Sequence, residues 1–183
     1  MTQHHPALEV EVGGLHATTR DKDELIDVYR DAYADKIGDP FLTEERHWER
    51  VQAYAKMDGY ALAEGRVSRR MVGCALGYRL PRNAKWWNGL VTEVDPSLLI
   101  EDGARTFALT YMMVRREYRR RGYAKALHDE LLSGRTERRA TLLVNPANTS
   151  ARKAYDAWGW YKVGELQPFS DAPIYDAMLK DLP

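Results

Sequence analysis

Leu109-Thr-Tyr-Met-Met-Val-Arg-Arg-Glu-Tyr-Arg-Arg-Arg-Gly-Tyr-Ala-Lys-Ala-Leu127 is the stretch that decides the reading of this chain. With the residues just before it, the run TFALTYMMV (106–114) is almost wholly apolar and predicts a buried-type strand. The basic segment that follows predicts a turn and then a helix to about Leu132. A turn holding Gly122 and the small Ala124 lets backbone N–H groups approach a ligand closely. The new helix adds its positive end, and together they make an anion nest suited to a pyrophosphate. Arg119, Arg120 and Arg121 supply full charges beside it. Neither standard nucleotide loop is present, since GxxxxGK[ST] and GxGxxG are both absent. The plainer reading is a charged helix start with a turn glycine.

Downstream, Ala140–Val144 reads as a short buried strand, and Asn148 sits at the start of a helix over about 149–157. Tyr155 lies seven residues beyond Asn148, about two turns, on the face that also carries Ala151. Gly159 ends that helix, and strands over 160–166 and 174–180 follow as antiparallel neighbours. Upstream, the alternation of residues 8–12 predicts a half-buried strand, which Gly13-Gly14 turns into a short partner over 15–19. Helices are expected over 22–36 and 43–57, with Gly38-Asp-Pro40 as the break. Strands over 60–64 and 71–80 pair through a polar hairpin at 65–70. Residues 81–103 read as an irregular loop with a helical turn near 97–101. The order gives an α/β fold, one domain over 1–183 with a mixed, mostly antiparallel central sheet flanked by helices.

Composition bounds the function. The 183 residues suit one domain, and 44% apolar with 30% charged residues is an ordinary globular balance. The 27 basic and 27 acidic residues cancel, which argues against a nucleic-acid or membrane binder. One cysteine, Cys74, allows no internal disulfide and no multi-cysteine metal site. His4 and His5 read as a solvated terminus, so no metal is expected. No apolar run is long enough to span a bilayer and MTQHHPALEVE lacks the features of a secretory signal, so the expected location is the cytoplasm. The charge is uneven: residues 1–58 hold seven Lys/Arg against thirteen Asp/Glu, and residues 115–139 hold nine against four. A concentrated basic patch on a neutral chain suggests a small polyanionic ligand, unless both segments are simply solvated faces.

The stretches 109–127 and LLVNPANTSARKAYDAWGWYKVGE (142–165) resemble the GNAT superfamily of acyl-CoA-dependent N-acyltransferases. The family's Arg/Gln-x-x-Gly-x-Gly/Ala motif is matched by Arg119, Gly122 and Ala124. Its later motif, an Asn, a helical Tyr and a Gly-aromatic pair, is matched by Asn148, Tyr155, Gly159 and Trp160. The resemblance covers roughly 109–165; the first hundred residues share only the pattern of elements. It implies acetyl-CoA as co-substrate, with the backbone of Met112, Met113 and Val114 pairing with pantetheine amides. The turn of Arg119, Arg120, Arg121, Gly122, Tyr123 and Ala124 would hold the pyrophosphate, and Asn148 would help fix the pantetheine arm. The acceptor side falls at about 20–103, and such proteins often form homodimers.

Acyl transfer to an amine needs a neutral amine, a stabilised oxyanion and a protonated leaving thiolate. A lysine-like amine is neutral about once in 10³ at pH 7. Backbone N–H groups near Val114 suit the oxyanion. Tyr155, protonated at pH 7, suits the thiolate as general acid, where core packing is the plainer role. Many relatives carry a Glu on the fourth strand, but here that strand has no carboxylate. A water chain, an acid of the flanking loop (Glu93, Asp95, Glu101 or Asp102), or an amine that arrives neutral would have to serve. Trp86 and Trp87 either wall an apolar acceptor or divide between core and surface. The acidic early segment favours a cationic amine. The expected activity is an acetyl-CoA-dependent N-acetyltransferase on a small-molecule or peptide amine. The alternatives are a non-catalytic acyl-CoA or peptide sensor, or a user of longer acyl donors.

Overall fold

The computed structural model describes residues 7–183; His4 and His5 lie outside them. The chain forms two compact units, one from the residues up to Gly77 with Tyr111–Gly134, the other from Tyr78–Thr110 with Arg135–Pro183. The strands follow the order β1-β2-β3-β4-β5-β7-β6 in a seven-stranded sheet. Among the described residues no helix is long and apolar enough to cross a membrane.

The first unit opens with β1 (Glu9–Gly13), α1 (Leu15–Arg20), α2 (Lys22–Ala32) and α3 (Glu44–Tyr54). Residues 15–19 are therefore helical and not a strand. The Thr18 and Thr19 hydroxyls bond back to the carbonyls of Gly14 and Leu15 inside the turn. β1 takes its antiparallel partner from β2 (Ala61–Val67) instead, with Glu9 opposite Arg66 and Gly13 opposite Leu62. α2 ends four residues earlier than the sequence pattern suggests, and a 3-10 turn at Ala34–Lys36 completes it. Thr43 caps α3 by accepting from the Arg46 N–H. β2 pairs antiparallel with β3 (Arg70–Arg79). The hairpin is shorter than the sequence suggests: Ser68 and Arg69 alone turn it, both with positive φ, as a two-residue primed turn requires. Leu25, Val28, Tyr29, Val51, Leu62, Leu76 and Met113 form this unit's core.

β4 (Thr106–Val114) matches its expected limits and runs from the second unit into the first. In the first unit α4 (Tyr123–Leu132) follows it. A Cβ on Gly73 would lie 2.7 Å from the Met113 carbonyl and 3.1 Å from Leu127, so glycine lets β3 receive both β4 and α4 there.

The second unit holds β5 (Arg139–Val144), α5 (Thr149–Ala157), β6 (Tyr161–Leu166) and β7 (Tyr175–Asp181). β5 runs parallel to β4 over Thr106–Ala108 and antiparallel to β7, which pairs antiparallel with β6. Residues 81–103 are more ordered than an irregular loop. They carry 3-10 turns at Trp86–Gly89 and Pro96–Leu99. One buried carboxylate oxygen, Glu101 Oε1, accepts from Trp87 Nε1 (3.0 Å), the Thr106 hydroxyl (3.0 Å) and Arg139 Nη2 (2.9 Å). Arg139 also donates to the Leu98 carbonyl at 2.7 Å. Trp87 is buried and Trp86 half-buried, both against the core of Leu166, Ala177 and Leu179.

Candidate active site

In the first unit the basic turn is built from the end of β4 outward. Arg115 is buried, with its N–H on the Val72 carbonyl (2.8 Å) and its Nε on the Met71 carbonyl (2.8 Å). The Arg116 N–H donates to Asp31 (2.7 Å). Arg119 reaches back, Nε to the Val114 carbonyl (3.2 Å) and Nη2 to the Ala32 carbonyl (2.8 Å). Arg121 donates to the Glu117 carbonyl (3.0 Å) and lies over the Tyr118 ring, which stacks on Tyr123. Two of the three arginines thus hold the turn itself in shape. Arg120, at φ 60°, makes no hydrogen bond or ion pair among the described residues.

Gly122 is the N-cap of α4, in the left-handed region at φ 79°. No side chain caps this helix, no acid stands in its first turn, and its first backbone bond is Ala126 N–H to the Gly122 carbonyl. The amides before Ala126 are therefore donors without an intrahelical partner. A Cβ at Gly122 would meet nothing within 4 Å, so the space beside this glycine is open. Left-handed backbone at Arg120 costs about 1 kcal/mol or more, the kind of strain that persists where a site requires it. The turn fits a pyrophosphate: aligned N–H donors, a helix dipole, one uncommitted guanidinium and room.

The broader basic segment is less available than its charge suggests. Lys125 pairs with Asp129, Arg135 with Glu137, Arg138 with Asp102, and Arg139 with Glu101. The positive field available to a ligand contracts to the turn. Of the strand residues, Met113 is a core side chain, Val114 is buried and its carbonyl is engaged by Arg119, and Met112 is half-buried.

In the second unit Asn148 is the exposed N-cap of α5, its Oδ1 accepting from the Ala151 N–H at 3.2 Å. Tyr155 is 7% exposed, with Trp158 and Trp160 edge-on at 5.8 and 5.9 Å. Burial raises its phenol well above the ordinary value, so it stays protonated through the physiological range. Its hydroxyl makes no hydrogen bond among the described residues, which leaves the proton available.

Three of the four loop acids have structural work. Glu101 is the buried junction described above, Asp95 caps the 3-10 turn through the Ser97 N–H, and Asp102 holds the Ala104 N–H and Arg138. Glu93 alone is exposed and uncommitted among the described residues. No group of three or more metal-ligating side chains occurs among the described residues.

Two arrangements escaped the sequence reading. One is a buried stack in the first unit: His47 lies flat on Tyr29 at 3.8 Å, with Tyr111 edge-on at 4.6 Å. The other is Asp176, buried under Arg152 and Lys162 in the second unit. Its signal was present as a lone acid inside the apolar run IYDAML.

The model of the acetyltransferase (GNAT) family matches residues 22–160. An acetyltransferase of that family from Streptococcus agalactiae superposes with a TM-score of 0.70 at 13% identity, covering 96% of each chain. An acetyltransferase from Thermus thermophilus does so at 0.67 and 16% identity, covering 98% of this chain and 100% of that one. The PaiA N-acetyltransferase of Thermoplasma acidophilum, solved with coenzyme A, gives 0.60 at 13% identity, covering 96% and 99%. No curated protein sequence matches the chain. The matched span runs from the first residue of α2 through the basic turn and α5 to the Gly-aromatic pair, and the chain belongs to the GNAT family of acetyltransferases.

Proposed function

We propose that this chain transfers the acetyl group of acetyl-CoA to a primary amine of a small-molecule or peptide acceptor by direct attack. The observation that carries the reading is the turn from Arg119 to Ala124, whose uncapped helix start and open left-handed glycine suit the pyrophosphate of CoA. Coenzyme A in the solved PaiA N-acetyltransferase supports the same ligand. The backbone of Met112 and Met113 meets the pantetheine amides, helped by the Asn148 side-chain amide. The Val114 N–H is the oxyanion donor.

The neutral amine nitrogen bonds to the thioester carbon, and the carbon–sulfur bond then breaks. The CoA thiolate takes the Tyr155 proton. The proton lost by the new amide nitrogen passes to water, and the tyrosinate regains one from solvent. With no acid on β4 and three loop acids committed, water or the exposed Glu93 carries the amine's proton. The acidic balance of residues 1–58 favours a cationic acceptor.

Titration calorimetry with acetyl-CoA, CoA and ATP tests the ligand. Thiol release over an amine panel tests turnover, and neutral aryl amines far outrunning cationic ones would overturn the acceptor class. Tyr155→Phe is expected to lower kcat about 10²-fold with acetyl-CoA affinity unchanged; full turnover would remove Tyr155 from the chemistry. The missing strand carboxylate favours a second reading, an acyl-CoA sensor without turnover. Tight acetyl-CoA binding with no thiol release for any amine would establish it.

A further inference from the structure

α5 is fastened to β7 at both ends by charge. Asp176 is 2% exposed, and both its carboxylate oxygens are taken: Oδ2 by Arg152 Nη1 and Oδ1 by Lys162 Nζ at 2.7 Å. Four residues along the same face of β7, Lys180 Nζ donates to the Trp158 carbonyl at 2.6 Å, at the C-cap of α5. Four residues of strand span about 13 Å. Arg152 to Trp158 spans about 9 Å of helix, and the long Arg152 side chain makes up the rest.

These charges do more than hold a helix down. Lys180 complements the dipole at the helix C-terminus, but a cation in the first turn opposes it. Arg152 therefore gains its place from Asp176 and not from the helix. It also lies between the two motif positions, Asn148 and Tyr155. Its N–H bonds the Asn148 carbonyl at 3.0 Å, and Tyr155 follows three residues later on the same face. A helix of nine residues does not fix its own roll. Tyr155 is buried with Trp158 and Trp160 edge-on beside it, and its hydroxyl makes no hydrogen bond among the described residues. We infer that Asp176, acting through Arg152, is the positioning residue that sets the roll of α5 and with it the place of the Tyr155 hydroxyl. The kinetic part of this rests on the proton-donor reading of Tyr155.

The test is a double-mutant cycle with a structural readout beside it. Asp176→Asn is expected to lower kcat by about ten- to a hundredfold, the scale of a misplaced catalytic group, with the KM for acetyl-CoA within about threefold. In a Tyr155→Phe background the same change should cost less than about twofold, because the group it positions is already gone. Effects that multiply in full, or an unchanged kcat, overturn the inference. Should Asp176→Asn fail to fold, Arg152→Gln breaks the same pair and leaves Lys162 on the carboxylate. If Tyr155→Phe alone keeps full turnover, the proton-donor reading fails, and hydrogen exchange then decides the clamp. Amides 152–158 exchanging about tenfold faster in the variant, with β5 and β7 unchanged, support it; unchanged exchange refutes it.

Discussion

The two helix starts of the family motifs are built by opposite means. α5 begins at Asn148, whose own side chain satisfies one of the first-turn amides. α4 begins at Gly122, which has no side chain to offer, and no acid stands in its first turn. One start satisfies a donor internally. The other leaves its first amides without a capping side chain, with the Arg119 and Arg121 guanidinium groups bonded to the Ala32 and Glu117 carbonyls. On the proposed reading the anion sits at α4, and α5 carries Asn148 and Tyr155.

The contrast breaks most sharply at Gly122. Gly122→Glu brings an acid and left-handed strain to the open donors and is expected to weaken acetyl-CoA binding by more than about 10²-fold in calorimetry. Its fold should persist, since a Cβ at this position meets no neighbour. Arg120→Ala removes the one uncommitted cation of the turn and should weaken binding about three- to tenfold, with an effect that fades as salt rises. Arg119→Ala should instead lower thermal stability, because it frees two carbonyls that the guanidinium now holds. Asn148→Ala should cost about 1 kcal/mol of stability by loss of the cap, with only a few-fold effect on CoA affinity. Equal affinity losses at Gly122 and Asn148 would erase the distinction between the two starts.

A smaller prediction sharpens the picture of the first unit. Burial pushes His47 down to about 3, and neither ring nitrogen has a partner among the described residues. The folded state therefore binds fewer protons than the unfolded chain between about 3 and the ordinary value of 6.5. Its contribution to stability is complete above that ordinary value and is lost as pH falls toward 3. Glu64 runs the other way. Burial and the neighbouring Asp21 push it up to about 7, so its contribution is complete below 4.5 and is lost as pH rises through 7. His47→Phe, which keeps the stack on Tyr29, should raise the melting temperature and flatten its acid-side slope. A steeper slope would contradict the burial argument.

Much of the fold was legible because its signals are local. The apolar run 106–114 is β4 as read, Asn148 caps the helix it was expected to cap, and Gly159 ends that helix. The failures lie where a distant partner decides. Gly13-Gly14 followed by Leu-His-Ala-Thr-Thr reads as a hairpin, but β2, some fifty residues away in sequence, supplies the partner of β1 and leaves 15–20 to form the helix α1. The loop at 81–103 is ordered by Arg139 reaching Glu101 across 38 positions, which no local pattern encodes. Charge was the most deceptive signal. Nine cations in residues 115–139 suggest a concentrated basic patch, yet their partners, from Asp31 to the Ala32 and Met71 carbonyls, are visible only in three dimensions. What survives as site is the backbone of one turn, and a Gly two positions before an Ala after a basic run was its readable trace.

The Gly122 turn is the proposed site for the pyrophosphate of acetyl-CoA. Isothermal titration of the purified chain with acetyl-CoA, beside CoA and ATP and repeated on Gly122→Glu, tests it most directly. Micromolar binding of acetyl-CoA that disappears in the variant is the predicted result. No binding by the unmodified chain, or binding that Gly122→Glu leaves intact, would contradict it.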